Sequence, residues 1–193
     1  MNNYSKFYAQ ALLDHHEAIE SLSKVEAMVS GAAEKMVCSS KSGGTIYWCG
    51  NGGSAADCQH YAAELMVRYV KDRDPIRSVA LTTDTSLLTA HCNDIGFESV
   101  FERQVKSLIR PGDVLVGIST SGNSQNVLRA VTQARQQGAL TVGMLGRDGG
   151  KIKDIVDYPI VVESNITASI QEAHLVLGHY LCKCLEEFNG QHL

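Results

Sequence analysis

The chain has 193 residues, of which 44% are hydrophobic and 20% charged, which is enough apolar sequence for one domain with a sizeable core. Its formal net charge of −4 argues against a surface for nucleic acid or an anionic membrane, since a mildly acidic chain without a basic stripe serves neither. The N-terminus has no charged-then-apolar signal pattern, and no apolar run is long enough to span a bilayer. We therefore expect a cytoplasmic protein with no membrane or nucleic-acid partner.

Residues 1–42 carry apolar positions that recur at intervals of three and four, which predicts helices. We expect two helices, with a break near residues 22–24 or near residues 30–31. The segment contains no catalytic pattern. We therefore interpret it as helical packing on a single domain that spans residues 1–193.

The apolar run at residues 45–48 stops at a cluster of glycines, and a helical pattern follows, which predicts a strand, a tight turn and a helix. Glycine lets the backbone turn sharply and approach a ligand, and the start of a helix presents unpaired N–H groups and a positive dipole end. An anion is the ligand that such a turn favours. The turn comprises Asn51, Gly52, Gly53 and Ser54.

The same order of strand, polar turn and helix recurs after the apolar run at residues 114–118. Four hydroxyl groups in this turn, together with the free N–H groups of a helix start, suit a phosphate. The alternative is that Ser121, Asn123 or Ser124 only caps the helix, although one residue would be enough for capping. We favour phosphate binding by this turn, which runs through Ser119, Thr120, Ser121, Gly122, Asn123 and Ser124.

Three further apolar runs predict strands at residues 78–81, 139–145 and 158–162. Strands that are apolar throughout and alternate with helices favour a parallel sheet covered on both faces. The sequence therefore predicts an α/β fold, a three-layer sandwich with a five-stranded parallel sheet and N-terminal helices. Ligands of such sheets bind at the carboxyl ends of the strands, where the strand order reverses, so both polar turns should belong to one site.

His60 and Glu64 lie four residues apart on the helix after the first turn, and hence on the same helix face. A histidine and a carboxylate so placed can share a divalent metal, or the carboxylate can act as a base near a bound substrate. The alternative is a solvated helix face. The position one or two turns beyond a phosphate-type loop strengthens the functional interpretation.

A long final helix, at about residues 167–188, carries polar residues in an otherwise apolar setting, and such residues need partners if they are buried. His174 is interpreted as a satisfied core or interface histidine. The other polar residues of interest in this helix are Gln171, Glu172 and His179.

Six motifs, in order within residues 43–187, closely resemble those of the phosphoheptose isomerases, which belong to the sugar isomerase (SIS) superfamily. The resemblance is weaker over the N-terminal helices. The motifs are Cys49-Gly-Asn-Gly-Gly-Ser54, His60-x-x-x-Glu64, Asn93-Asp94-x-Gly-Phe97, Gly117-Ile-Ser-Thr-Ser-Gly-Asn-Ser124, Asp148-Gly-Gly150, and Ile170-Gln-Glu172 with His179.

The resemblance implies a flavodoxin-like SIS fold and a homotetramer with its sites at subunit interfaces. It also implies an aldose–ketose isomerase that interconverts D-sedoheptulose 7-phosphate and D-glycero-D-manno-heptose 7-phosphate through an enediol(ate). This reaction is the first step towards the ADP-heptose of lipopolysaccharide cores.

The resemblance further implies roles for single residues. One zinc ion per subunit would be bound by His60, Glu64, Gln171 and His179, with Glu64 and His179 as the acid/base pair. Chemistry supports these residue types, because the isomerisation moves protons between two carbons and their oxygens. The expected substrate-binding residues are Asn51, Gly52, Gly53, Ser54, Glu64, Asn93, Asp94, Ser119, Thr120, Ser121, Ser124 and Gln171.

One alternative function comes from another class, a non-catalytic SIS adaptor like the tetrameric protein that associates with the bacterial replication initiator DnaA. Glu64 and His179 separate the two, because that adaptor holds side chains unsuited to the chemistry at these positions. This chain retains both residues, which favours the enzyme. The chain departs from the family pattern at Ala168 and Ser169, so the resemblance does not decide whether a substrate contact or an interface ion pair forms there.

Overall fold

Five strands form the centre of the computed structural model, which describes residues 3–189. The ends of the predicted domain, residues 1–2 and 190–193, lie outside the described residues. The strands are β1 (Ile46–Gly50), β2 (Ser78–Ala80), β3 (Val114–Ser119), β4 (Leu140–Gly146) and β5 (Tyr158–Val162). The helices are α1 (Asn3–Ser21), α2 (Glu26–Lys41), α3 (Gly53–Met66), α4 (Thr85–Asp94), α5 (Val100–Leu108), α6 (Gln125–Gln136) and α7 (Thr167–Asn189), with short 3₁₀ helices at Leu22–Val25 and Phe97–Ser99.

All strand pairs are parallel, and the strand order is β2-β1-β3-β4-β5. This is the flavodoxin-like order, in which the direction of winding reverses between β1 and β3. Gly50 at the end of β1 pairs with Ile118 near the end of β3. The two polar turns therefore leave the sheet side by side at the switch point, as the sequence predicted.

The sheet is covered on both faces, and successive residues of the central strands β1, β3 and β4 alternate between two buried clusters. Ile46 and Trp48 of β1 pack towards α2, α3 and α7, whereas Tyr47 and Cys49 pack towards α5 and α6. Trp48 is fully buried, and its Nε1–H donates to Ser78 Oγ at 2.9 Å. The predicted three-layer sandwich with a five-stranded parallel sheet is confirmed.

The N-terminal segment contains the two predicted helices, separated by the 3₁₀ helix at Leu22–Val25. The break thus falls at the first of the two expected positions, while residues 30–31 lie inside α2. Helix α1 packs along α7. Over the described residues, 3–189, no helix combines the length and apolar character needed to cross a membrane.

Helices α3 and α7 approach closely because a glycine of α7 faces a large aromatic ring of α3. Tyr61 is fully buried, and its hydroxyl donates to the backbone carbonyl of His174 at 2.9 Å. A Cβ atom on Gly178 would lie 2.2 Å from Cζ of Tyr61. Any side chain at position 178 would therefore push the two helices apart.

We predict that Gly178→Ala destabilises the protein. Overpacking against a buried ring costs about 1–3 kcal/mol, and an approach of 2.2 Å places this site in the upper half of that range. Alanine favours the helix by about 1 kcal/mol over glycine, so we expect a net loss of about 1–2 kcal/mol. Denaturant unfolding would measure the change. Gly31→Ala in α2 is the matched control, because its Cβ would lie 3.1 Å from the half-buried Tyr158 ring, which has room to yield. Wild-type stability in Gly178→Ala would contradict the prediction.

Candidate active site

The two polar turns are joined by a pair of side-chain amides. Asn51 Nδ2 donates to Asn126 Oδ1 at 2.9 Å, and Asn126 Nδ2 donates back to Asn51 Oδ1 at 2.8 Å. Asn126 is buried at the start of α6. Sequence reasoning missed it, although an asparagine between the polar turn and the apolar face of a helix was a visible signal. The pair fixes the first turn relative to the second.

The serine hydroxyls of the second turn lie close to one another and do not cap α6. Ser119 Oγ donates to Ser124 Oγ at 3.0 Å and lies 3.5 Å from Ser121 Oγ. Ser124 occupies the N-cap position but makes no side-chain capping bond. The carboxamide of Asn123 bonds to Ser121 O and to the N–H of Lys151. The capping alternative therefore fails for all three residues that were considered.

A glycine loop closes against this turn and leaves no space for side chains. Gly122 has φ 65°, and a Cβ atom there would lie 2.0 Å from the carbonyl oxygen of Gly149. The N–H of Ile152 donates to Gly122 O at 3.0 Å. The Asp148-Gly149-Gly150 motif thus packs on the serine turn and fixes its shape.

Three of the predicted functional side chains meet between α3 and α7. His60 Nε2 lies 2.9 Å from His179 Nε2 and 3.7 Å from Glu64 Oε1. The spacing of four residues places His60 and Glu64 on one face of α3, and the close approach at Gly178 brings the next residue of α7 opposite them. The His60 side chain is 42% exposed and that of Glu64 21%, so a ligand can reach both.

These side chains do not form a ready metal cage. Among the described residues, no group of three or more His, Cys, Asp and Glu side chains is arranged to hold a metal ion. Gln171, the fourth predicted ligand, lies against the N-terminus of α3, where a Cβ atom on Gly53 would lie 2.4 Å from its Nε2. Gln171 and His179 are eight residues apart, about 12 Å along a helix at 1.5 Å per residue.

Asp57 is a second residue that sequence reasoning missed. It precedes His60 by three residues and Glu64 by seven, which places all three on one side of α3. Its Oδ2 is buried and has no hydrogen-bond partner among the described residues. Burial raises the pKa of the Asp57 carboxyl, and the nearby His60 opposes this. The spacing of 57, 60 and 64 was the available signal.

Asn93 and Asp94 lie exposed at the C-terminal end of α4. Asn93 Nδ2 donates to Asp94 Oδ1 at 2.8 Å. This bond links the two side chains to each other and to neither polar turn. Their role in substrate binding stays a prediction.

His174 is a core histidine. It is fully buried, and its Nε2 lies 3.0 Å from the carbonyl oxygen of Leu145. Burial lowers its pKa to about 4, partly offset by that hydrogen bond. Glu172, two residues earlier, is exposed and lies 2.7 Å from His15 Nδ1. His174 therefore holds α7 to the sheet, away from the cleft.

Comparisons with known proteins identify the family of the chain. Residues 8–146 match the SIS domain family. The chain is 57% identical over 142 residues, 74% of its length, to a phosphoheptose isomerase of a Nitratiruptor species, covering 76% of that protein. It is 45% identical over 182 residues to a phosphoheptose isomerase of Trichlorobacter lovleyi, covering 94% of this chain and 93% of the relative.

The structure of a phosphoheptose isomerase from Neisseria gonorrhoeae superposes with a TM-score of 0.89 at 43% identity, covering 96% of this chain and all of the other. Fold and family match together define a SIS domain protein. Within that class, the chain belongs to the phosphoheptose isomerase family.

We predict that His174 makes the protein less stable in acid. Its folded pKa of about 4 lies below the ordinary value of 6.5, so between these pH values the unfolded chain binds the extra proton. The contribution of His174 to the free energy of unfolding is fully present above pH 6.5, and it falls by about 3 kcal/mol as the pH drops to 4. Unfolding of wild type and His174→Gln, measured from pH 7 to pH 4, would reveal this contribution as a shrinking difference between them.

His16→Gln is the control for this experiment, because His16 is exposed on α1. The difference in the free energy of unfolding between His16→Gln and wild type should stay constant from pH 7 to pH 4. A pH-independent difference for His174→Gln would contradict the prediction.

Proposed function

We propose that the chain is an aldose–ketose isomerase that interconverts D-sedoheptulose 7-phosphate and D-glycero-D-manno-heptose 7-phosphate in the cytoplasm, on the route to ADP-heptose and lipopolysaccharide. One observation carries the proposal: Glu64 and His179 come from different helices and converge on His60 at the cleft between α3 and α7. High identity to phosphoheptose isomerases over most of the chain supports the same substrate.

The chemistry requires one proton to move between adjacent carbons and another between their oxygens. In the proposal, Glu64 abstracts the proton from carbon and returns it to the neighbouring carbon. His179 moves the oxygen proton on the other side of the substrate. The intermediate is an enediol(ate), whose negative charge needs stabilisation by nearby donors.

The phosphate is proposed to bind at the serine turn. None of the hydroxyls there caps α6, and the N-terminus of that helix adds a favourable dipole. The first turn would shape the surroundings of the sugar, since Asn51 is tied to Asn126 beside the phosphate position. The proposed phosphate ligands are Ser119, Thr120, Ser121 and Ser124.

The proposal includes one zinc ion per subunit, bound by His60, Glu64, Gln171 and His179. It requires the side chains of Gln171 and His179 to reach towards each other along α7 when the ion binds. Imidazole nitrogen and carboxylate oxygen are usual protein ligands of zinc. The two Nε2 atoms face each other at 2.9 Å and cannot both direct a hydrogen into that gap, so at least one presents a lone pair. When bound, the ion would supply Lewis-acid stabilisation of developing negative charge.

A homotetramer with sites at subunit interfaces is also proposed. Large apolar side chains are exposed along α1 in the single chain, which is typical of a surface that another subunit covers. The helix packs beside α7, which carries Gln171 and His179. The exposed residues are Tyr4, Phe7, Tyr8, Leu12 and Leu13.

Purified protein incubated with sedoheptulose 7-phosphate should form the aldose, and Glu64→Gln should lose turnover by roughly 10²- to 10⁴-fold because the carbon-bound proton has no base. Calorimetric titration should still detect sugar-phosphate binding. Glu102→Gln, which removes a half-buried carboxylate paired with Lys106 on the other face of the sheet, should leave turnover unchanged. Full activity in Glu64→Gln would overturn its role, and no product from wild type would favour the adaptor.

Removal of metal with a chelator should lower turnover, and added zinc should restore it, because the histidines and carboxylate of the site then lose and regain their ion. Metal content should be measured on the same samples. Undiminished turnover in protein verified to be metal-free would contradict the zinc assignment and leave the Glu64 and His179 roles to the substitution experiment.

A further inference from the structure

The loop after α3, residues 67–73, is bound by a buried carboxylate of α7. Glu186 accepts the backbone N–H of Tyr69 at 3.0 Å, of Val70 at 2.9 Å and of Lys71 at 2.9 Å. Its side chain is only 2% exposed. Three successive N–H groups form a concave anion site, which this chain fills with its own carboxylate.

Arg73, at the end of the same loop, connects the last turn of α3 to α7. Its Nη2 donates to the backbone carbonyl of Glu64 at 2.9 Å, and its Nη1 donates to that of Leu65 at 2.8 Å. Its Nε lies 3.3 Å from Glu186 Oε2. The guanidinium therefore satisfies two carbonyls that the C-terminal end of α3 leaves free, and one of them belongs to Glu64, the proposed catalytic base.

The consequence of this anchoring is the position of one aromatic ring. Tyr69 is half-buried, and its ring centroid lies 5.6 Å from that of His179, with 34° between the planes. The His60 ring approaches His179 edge-on at 5.1 Å. His179 is thus flanked by Tyr69 and His60, with the ring of Tyr61 edge-on at 6.4 Å, and its Nε2 points at His60.

We propose that Tyr69 is a positioning residue for His179, and that Glu186 and Arg73 hold Tyr69 in place. The proposal rests on the proposed isomerase function, in which His179 transfers a proton and must keep its ring direction. Ring packing limits rotation of the imidazole, while the hydroxyl of Tyr69 takes no part. A displacement of about 1 Å in such a group can cost about 10²-fold in rate.

Two variants of Tyr69 separate ring packing from other effects. Tyr69→Leu should lower kcat by about 10- to 100-fold with KM changed less than about threefold, because substrate contacts persist while His179 loses its fixed orientation. Tyr69→Phe keeps the ring and should restore kcat. Equal loss in both variants, or wild-type kcat in Tyr69→Leu, would overturn the proposal.

The anchor is tested by a matched pair of neighbouring carboxylates. Glu186→Gln removes the charge that binds three N–H groups and should reproduce the loss of kcat. Glu187→Gln removes only the surface ion pair with Lys71 of the same loop and should not change kcat. Equal kcat in the two variants, with both folded by circular dichroism, would contradict the role of Glu186.

Histidine resonances give a readout that does not depend on activity. In protein labelled at histidine carbons, the signals of His179, assigned with His179→Gln, should carry a ring-current shift from Tyr69 that Tyr69→Leu removes and Tyr69→Phe retains. Unchanged His179 signals in Tyr69→Leu would refute the positioning role. If wild type lacks isomerase activity altogether, the proposed function fails, while these spectra still decide the contact.

Discussion

Close packing of α3 against α7 is the constraint on which the candidate site depends. Two glycines permit it: Gly178 leaves room for the Tyr61 ring, and Gly53 leaves room for the Gln171 amide. His60 and Glu64 lie on α3, and His179 is the residue after Gly178 on α7. The same contact that buries Tyr61 therefore brings the proposed catalytic groups together. Core packing and catalytic geometry are therefore one property of this pair of helices.

A second constraint acts at the sheet. Parallel strands with a reversal of winding between β1 and β3 place two polar turns side by side, and the reciprocal amides of Asn51 and Asn126 fix their spacing. One turn is suited to a phosphate and the other begins the helix that carries Glu64. The proposed function uses both, because a sugar phosphate must be held at one end while its carbonyl end reacts.

The sequence predicted the sheet because apolar runs and glycine turns are local signals, and it paired His60 with Glu64 because helical spacing is local too. The opposition of His60 and His179 depends on a tertiary contact, so only the family resemblance indicated it. Asp57, Asn126 and Tyr69 were missed for a related reason. Helical spacing placed Asp57 on the same side of α3 as His60 and Glu64, but its burial, the pairing of Asn126 with Asn51 and the stacking of Tyr69 on His179 depend on tertiary contacts.

Helices α3 and α7 run parallel, and the cleft between them extends along both helices. Gln171 lies opposite Gly53 at the start of α3, and His179 lies opposite His60, seven residues or about 10 Å further along. Under the proposed function, the phosphate sits at the serine turn before α6 and the reacting carbons lie near His60. The proposed substrate would then have to extend between these two positions, so the spacing of the two ends of the cleft is set by the rise of the helices that line it.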